Sequence, residues 1–154
     1  EQTPELKEAV AALLPHVNTQ KACFKSQEIA SLLWAMAKLV DNGQERTPEF
    51  NEAVAALLPQ VNIQKDQFNA QDIANLLWAI AKLVDNGQEP TPELKRALAA
   101  LLSHVNAQKA NFTPQHIANL LWAMAKLVDK GLERTSGLSE AVAALLPQVN
   151  AQKD

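Results

Sequence analysis

Twelve side chains suited to gripping another polymer recur in this chain at intervals of 44 residues. They are Gln27, Ser31, Trp34 and Lys38, then Gln71, Asn75, Trp78 and Lys82, then Gln115, Asn119, Trp122 and Lys126. On a helix turning 100° per residue, Gln27, Ser31 and Lys38 fall on one side with Trp34 at its edge. Stacked copies would line up as ladders of amide, ammonium and indole. Such a set can read a nucleic acid: lysine meets phosphate, amides meet base edges, and aromatic planes stack on bases. A plainer account uses the same residues structurally. The amides then satisfy backbone groups between repeats, and Trp34, Trp78 and Trp122 belong to the core, as large indoles usually do. Lys38 would pair with Asp41 three residues on. Both accounts remain open on the residues alone.

Other chemistry finds little support. His16, His104 and His116 do not share metal-ligand spacing, and no cysteine pair or carboxylate-rich loop accompanies them. His16 and His104 alternate with Gln60 and Gln148, which reads as an exposed polar slot. Cys23 is the one cysteine, so no intramolecular disulfide framework exists. Glycine-rich phosphate loops and nucleophile elbows are missing from the sequence. The expectation is a chain with no catalytic residue, no metal and no cofactor. Positions that differ between copies are another candidate, because in modular readers the changing residues carry the code. Among them are Lys25, Asn69 and Thr113, and three residues later Glu28, Asp72 and His116. Drift at exposed positions predicts the same pattern.

The elements that carry these residues are plain from the periodicity. Aligning residues 3–46 with 47–90 leaves 12 differences in 44 positions. Helix A, which holds the tryptophan, should run in its first copy from about Ser26 to Asp41, and Asn42-Gly43 should end it in a left-handed cap. It is apolar nearly all round, as a buried helix is. Helix B opens on Thr-Pro-Glu, with Thr47 as N-cap, Pro48 in the first turn and Glu49 at the positive dipole end. Its stripe of Phe50, Ala53, Val54, Leu57, Leu58 and Val61 keeps a helical rhythm. Pro15, Pro59 and Pro147 should kink helix B or divide it. A fixed period of this length with two helices per unit predicts an all-α, right-handed solenoid of the HEAT and armadillo kind, with about seven helices.

The units are 3–46, 47–90, 91–134 and a half unit, 135–154, forming a single domain of 154 residues. Residue 1 falls within an inter-helix loop, and Asp154 stops before the phenylalanine that would open another unit. These ends read as a stretch of a longer array. A net charge of −3 argues against a surface wholly given to phosphates. Lysines also recur in the connectors at Lys21, Lys65, Lys109 and Lys153, as a solvated charged edge. No apolar run reaches membrane-span length, and an intracellular site of action is expected.

The run F-x-x-Q-x-I-A-N-L-L-W-A-x-A-K-L, from Phe68 to Leu83 and again from Phe112 to Leu127, resembles octotricopeptide repeats and related bacterial helical repeats. The resemblance covers the helix A half of each unit. It implies either sequence-specific binding of single-stranded RNA or, as in type III effectors with Ser-Lys-Trp-Pro repeats, secretion into a host cell. Ala-Lys-Leu-Val stands here where that tetrapeptide stands in those effectors. A fainter likeness to TAL-effector repeats rests on F-T-P-Q-H-I-A at Phe112. The combined expectation is a non-enzymatic scaffold whose partner is a macromolecule: a protein first, RNA second, and no membrane.

Overall fold

A computed structural model of the chain describes residues 3–131 and 136–151. Thr135, expected to cap the fourth helix B, and Lys153 lie outside the described residues. Among the described residues seven α-helices follow one another: α1 Pro4–Thr19, α2 Ser26–Asp41, α3 Pro48–Ile63, α4 Ala70–Asp85, α5 Pro92–Gln108, α6 Pro114–Asp129 and α7 Ser136–Ala151. The odd-numbered helices are helix B and the even-numbered ones helix A. Among the described residues there is no strand.

Local chemistry sets the helix ends. The hydroxyls of Thr3, Thr47 and Thr91 accept from the backbone N–H of Leu6, Phe50 and Leu94, at 3.1, 3.2 and 3.2 Å. Proline in the first turn loses no bond there, because the first helical N–H groups have no partner inside the helix. Helix A closes on glycine. Gly43, Gly87 and Gly131 have φ of 103°, 104° and 92°. Gln44 N–H donates to Leu39 O at 2.8 Å and Gly43 N–H to Val40 O at 3.1 Å, and Gln88 and Gly87 repeat the pair. These two crossed bonds form a Schellman closure, and glycine adopts the required backbone without a Cβ penalty. The closure folds each helix A back onto the helix B that follows, so α2 packs on α3, α4 on α5 and α6 on α7.

Stacking then makes two layers. Helices A pile up as α2, α4 and α6, and helices B as α1, α3, α5 and α7. One continuous apolar core runs between them. The central helix α4 is enclosed on both sides, with Ile73, Leu76, Leu77, Ile80 and Leu83 all fully buried. Each such side chain contributes roughly 1.5–3 kcal/mol of transfer free energy. From α1, α3 and α5 a short 3-10 turn (21–23, 65–67 and 109–111) leads into the next helix A. Phe68 and Phe112 anchor those junctions in the core, and Gln64 Nε2 donates to Phe24 O of the preceding junction at 2.9 Å.

Of the two outcomes expected at the prolines, division does not occur: helix B runs as a single α-helix through Pro15, Pro59 and Pro147. The ring leaves one backbone acceptor unpaired, four residues earlier, on Ala11 or Ala55. Both residues are exposed, so water can take that carbonyl and the helix persists.

Candidate functional site

Stacking of α2, α4 and α6 brings the recurrent residues together as the spacing predicts. The Trp34 and Trp78 rings lie 6.1 Å apart with a tilt of 35°. Lys38 Nζ sits between them, 5.4 Å from the Trp34 ring and 5.2 Å from that of Trp78. Lys82 Nζ repeats the placement at 5.6 Å from Trp78 and 4.9 Å from Trp122, and Lys126 lies 5.9 Å from Trp122. The ladder therefore alternates indole and ammonium, and each contact favours the stack by about 0.5–1 kcal/mol at a wet site.

Two structural expectations are overturned here. The indoles are not core residues: Trp34 is 39 % exposed, while Trp78 and Trp122 are half-buried at the rim of the core. The reason is that neighbouring helices A approach along their alanines, Ala30, Ala37, Ala74 and Ala81, leaving no interior room for an indole. Nor does Lys38 pair with Asp41. Asp41 instead accepts from Lys82 of the next unit at 3.2 Å, and Asp85 from Lys126 at 3.5 Å and Lys130 at 3.4 Å. Lysine and aspartate at this offset meet better across the stack than along one helix. Burial raises the Asp85 carboxyl, but Lys126 and Lys130 outweigh it and hold the group below the ordinary carboxylate value.

The polar rungs behave differently. Gln27, Ser31, Gln71 and Gln115 are exposed, and Asn75 and Asn119 half-buried. Among the described residues their side chains make no bond to the backbone between repeats; the hydrogen bonds found on this face are those of Asn42 and Asn86, whose Nδ2 groups donate to Lys38 O and Lys82 O at 2.8 Å. So the structure offers a row of amides with open donors and acceptors, flanked by indoles whose lysines already have carboxylate or ring partners.

The variable positions turn out to be helix caps. Asn69 Oδ1 accepts from Asp72 N–H at 2.8 Å, and Asn69 N–H donates to Asp72 Oδ2 at 3.2 Å. Thr113 Oγ1 accepts from His116 N–H at 3.1 Å, while Thr113 N–H donates to His116 Nδ1 at the same distance. Lys25 N–H donates to Glu28 Oε1 at 2.8 Å. Each pair is the reciprocal exchange of a capping box or half of one, satisfying donors at the start of helix A. Changes at the two positions are thus coupled by the cap, and Asp72 is even buried.

Several contacts were missed from the sequence. Arg46 bridges two inter-helix turns, donating to Asn86 O at 3.3 Å, to Asn51 Oδ1 at 3.1 Å and to Gln88 Oε1. Its burial lowers the guanidinium pKa. His104 is half-buried rather than an exposed slot, with Nε2 3.0 Å from Asp66 Oδ1 of the preceding junction. The signal for Asp41 and Asp85 was legible as an aspartate three residues beyond each ladder lysine; Arg46 occurs in one turn and left no periodic trace. Cys23 is exposed on its 3-10 turn. Among the described residues, no cluster of three metal-binding side chains occurs, and no helix is long and apolar enough to cross a membrane.

A family model described as a protein of unknown function (DUF1601) matches residues 12–33, 60–77 and 96–121. Each match starts within a helix B, crosses the 3-10 turn and ends within the following helix A. No curated protein and no solved structure matches the chain. The chain is thus an all-helical repeat array whose helix B to helix A junctions are similar to that family.

Proposed function

We propose that this array is a non-enzymatic scaffold that binds a protein partner along the ladder face of its helix A layer. The observation that supports it most is the combination of unpaired amides with lysines already matched. An amide offers both a donor and an acceptor, which is what a peptide group requires. A phosphate reader would keep its cations free, whereas Lys82 and Lys126 are tied to Asp41 and Asp85. The net charge of −3 works in the same direction. A partner segment lying across the stack would stack on the indoles and hydrogen-bond to Gln71, Asn75, Gln115 and Asn119, with Gln27 and Ser31 at one end. The setting of a bacterial effector inside a host cell rests on the resemblance of the helix A phrase.

A second reading keeps single-stranded RNA as the ligand. It is favoured by the 39 % exposure of Trp34, since an accessible ring beside open amides can stack and bond a splayed base.

Selection of a displayed random-peptide library on the chain tests the first reading. Enriched peptides should bind the parent at least about tenfold more tightly than an Asn75→Ala/Asn119→Ala variant of equal helicity. Peptides indifferent to that variant would sink the ladder as the protein site. In parallel, a labelled random RNA pool is titrated at low and physiological salt. Micromolar binding with a steep salt slope would replace the protein reading by the RNA one.

A further inference from the structure

The array breaks its own repetition at Arg46. In the next inter-helix turn Pro90 takes the equivalent position. The Arg46 side chain leaves the turn after α2, reaches the turn after α4, and borders a cavity of about 500 Å³. Asn51 and Ala55 of α3 line this cavity, together with Gln88, Glu89 and Thr91 of the second turn. Its walls thus belong to α3 and to the turns that open α3 and α5, away from both ends of the stack.

Donors predominate there. A guanidinium has five N–H donors. Nη1 of Arg46 gives one to Asn86 O, and Nη2 gives two, to Asn51 Oδ1 and Gln88 Oε1. The hydrogen on Nε and the second one on Nη1 have no acceptor among the described residues. Because Asn51 Oδ1 takes a guanidinium hydrogen, its Nδ2 group is left as a further donor. Thr91 caps α5, so the positive end of that helix dipole borders the same space.

Charge points the same way. The guanidinium is half-buried, and burial lowers its pKa. Neutral acceptors hold it, and the carbonyl end of α4 offsets part of its charge. No carboxylate pairs with it among the described residues. A cation partly removed from water without a counter-charge favours an incoming anion. Glu89 selects the kind. It is exposed, lines the cavity and has no cation partner among the described residues. Its charge disfavours a dianionic phosphate more than a single charge shared by two oxygens.

We infer that this cavity is a binding site for one carboxylate group, which accepts hydrogen bonds from Arg46 and Asn51. The carboxylate belongs either to an acidic side chain of a polypeptide or to a small free acid. None of the lining residues is part of the ladder, so the site does not depend on what the ladder binds.

The test follows the Arg46 Nε–H signal and the backbone amides of Gly87, Gln88 and Thr91 by proton–nitrogen correlation NMR of the full chain. Sodium acetate is titrated against sodium chloride at equal ionic strength. In parallel, the peptide acetyl-Gly-Ser-Glu-Ser-Gly-amide is compared with its Gln counterpart. Saturating shifts are expected with acetate and with the Glu peptide, and none with the Gln peptide. Equal affinities would assign a free acid as the source, and tighter binding of the Glu peptide a polypeptide side chain. Arg46→Gln, compared at matched helicity, should weaken binding at least about tenfold. Glu89→Gln leaves the bonds of Arg46 in place and should tighten binding about twofold to fivefold; a purely structural clamp predicts no such change. The proposal would be overturned by shifts no larger than the chloride control, by inorganic phosphate binding more tightly than acetate, or by Glu89→Gln without effect.

Discussion

At the start of α4 and α6, two residues three apart satisfy one another's backbone. Thr113 and His116 do so with hydroxyl and imidazole, Asn69 and Asp72 with amide and carboxylate. Thr113→Ala removes the acceptor for His116 N–H and should lower stability by about 1 kcal/mol in urea unfolding, with Thr113→Ser close to neutral. An alanine variant as stable as the parent would show that the cap contributes nothing. From sequence these positions read as possible code positions because their identities change from unit to unit. The helix B caps were legible because Thr-Pro-Glu stays constant. Chemically different residues can close the same ring of bonds, so constancy was the wrong sign to look for.

Between elements, the balance of apolar burial and charge decides the stack. Leu77 of α4 is fully buried, whereas its equivalent Leu121 in α6 is half-buried. Leu77→Ala should therefore cost about 2–5 kcal/mol in denaturant unfolding and Leu121→Ala distinctly less. Equal costs would contradict the enclosure of α4 by both neighbours. Asp85 ties α4 to α6 through Lys126 and Lys130, which depress its pKa in the folded state. A depressed carboxyl adds stability above its unfolded pKa of about 3.9 and loses it as pH falls through the lower folded value. Acid unfolding below about pH 4 should consequently be less steep in Asp85→Asn than in the parent. Superimposable pH profiles would remove this ion pair from the stability balance. The lysines and aspartates were visible in the sequence. Their pairing across units was not, because it depends on how far one helix A is displaced along the next.

For the molecule as a whole, each unit rests only on its neighbours, so units are interchangeable. Deleting residues 47–90 joins two equivalent turns and removes α3 and α4 together. The shortened chain should keep its helicity per residue and unfold at lower temperature, since one set of inter-unit contacts is gone. Circular dichroism with thermal melting measures both; a largely unfolded product would mean that α3 and α4 act as an irreplaceable centre. The ladder face extends along the stack in the same additive way, as rows of side chains rather than one pocket.

Helix positions, their caps on helix B, the glycine closures and the two-helix period were all determined by residue order, because they depend on contacts within a few residues and on a repeat that is nearly identical. The tertiary arrangement decided which side of each helix A faces a neighbour, and with that the fate of the ladder. Close approach along alanines pushed Trp34, Trp78 and Trp122 to the rim, handed Asp41 to Lys82, and left Asn75 and Asn119 with open amides. Spacing along a chain gives the angle of a side chain around its own helix. The distance and shift between two helices arise only when their surfaces interlock.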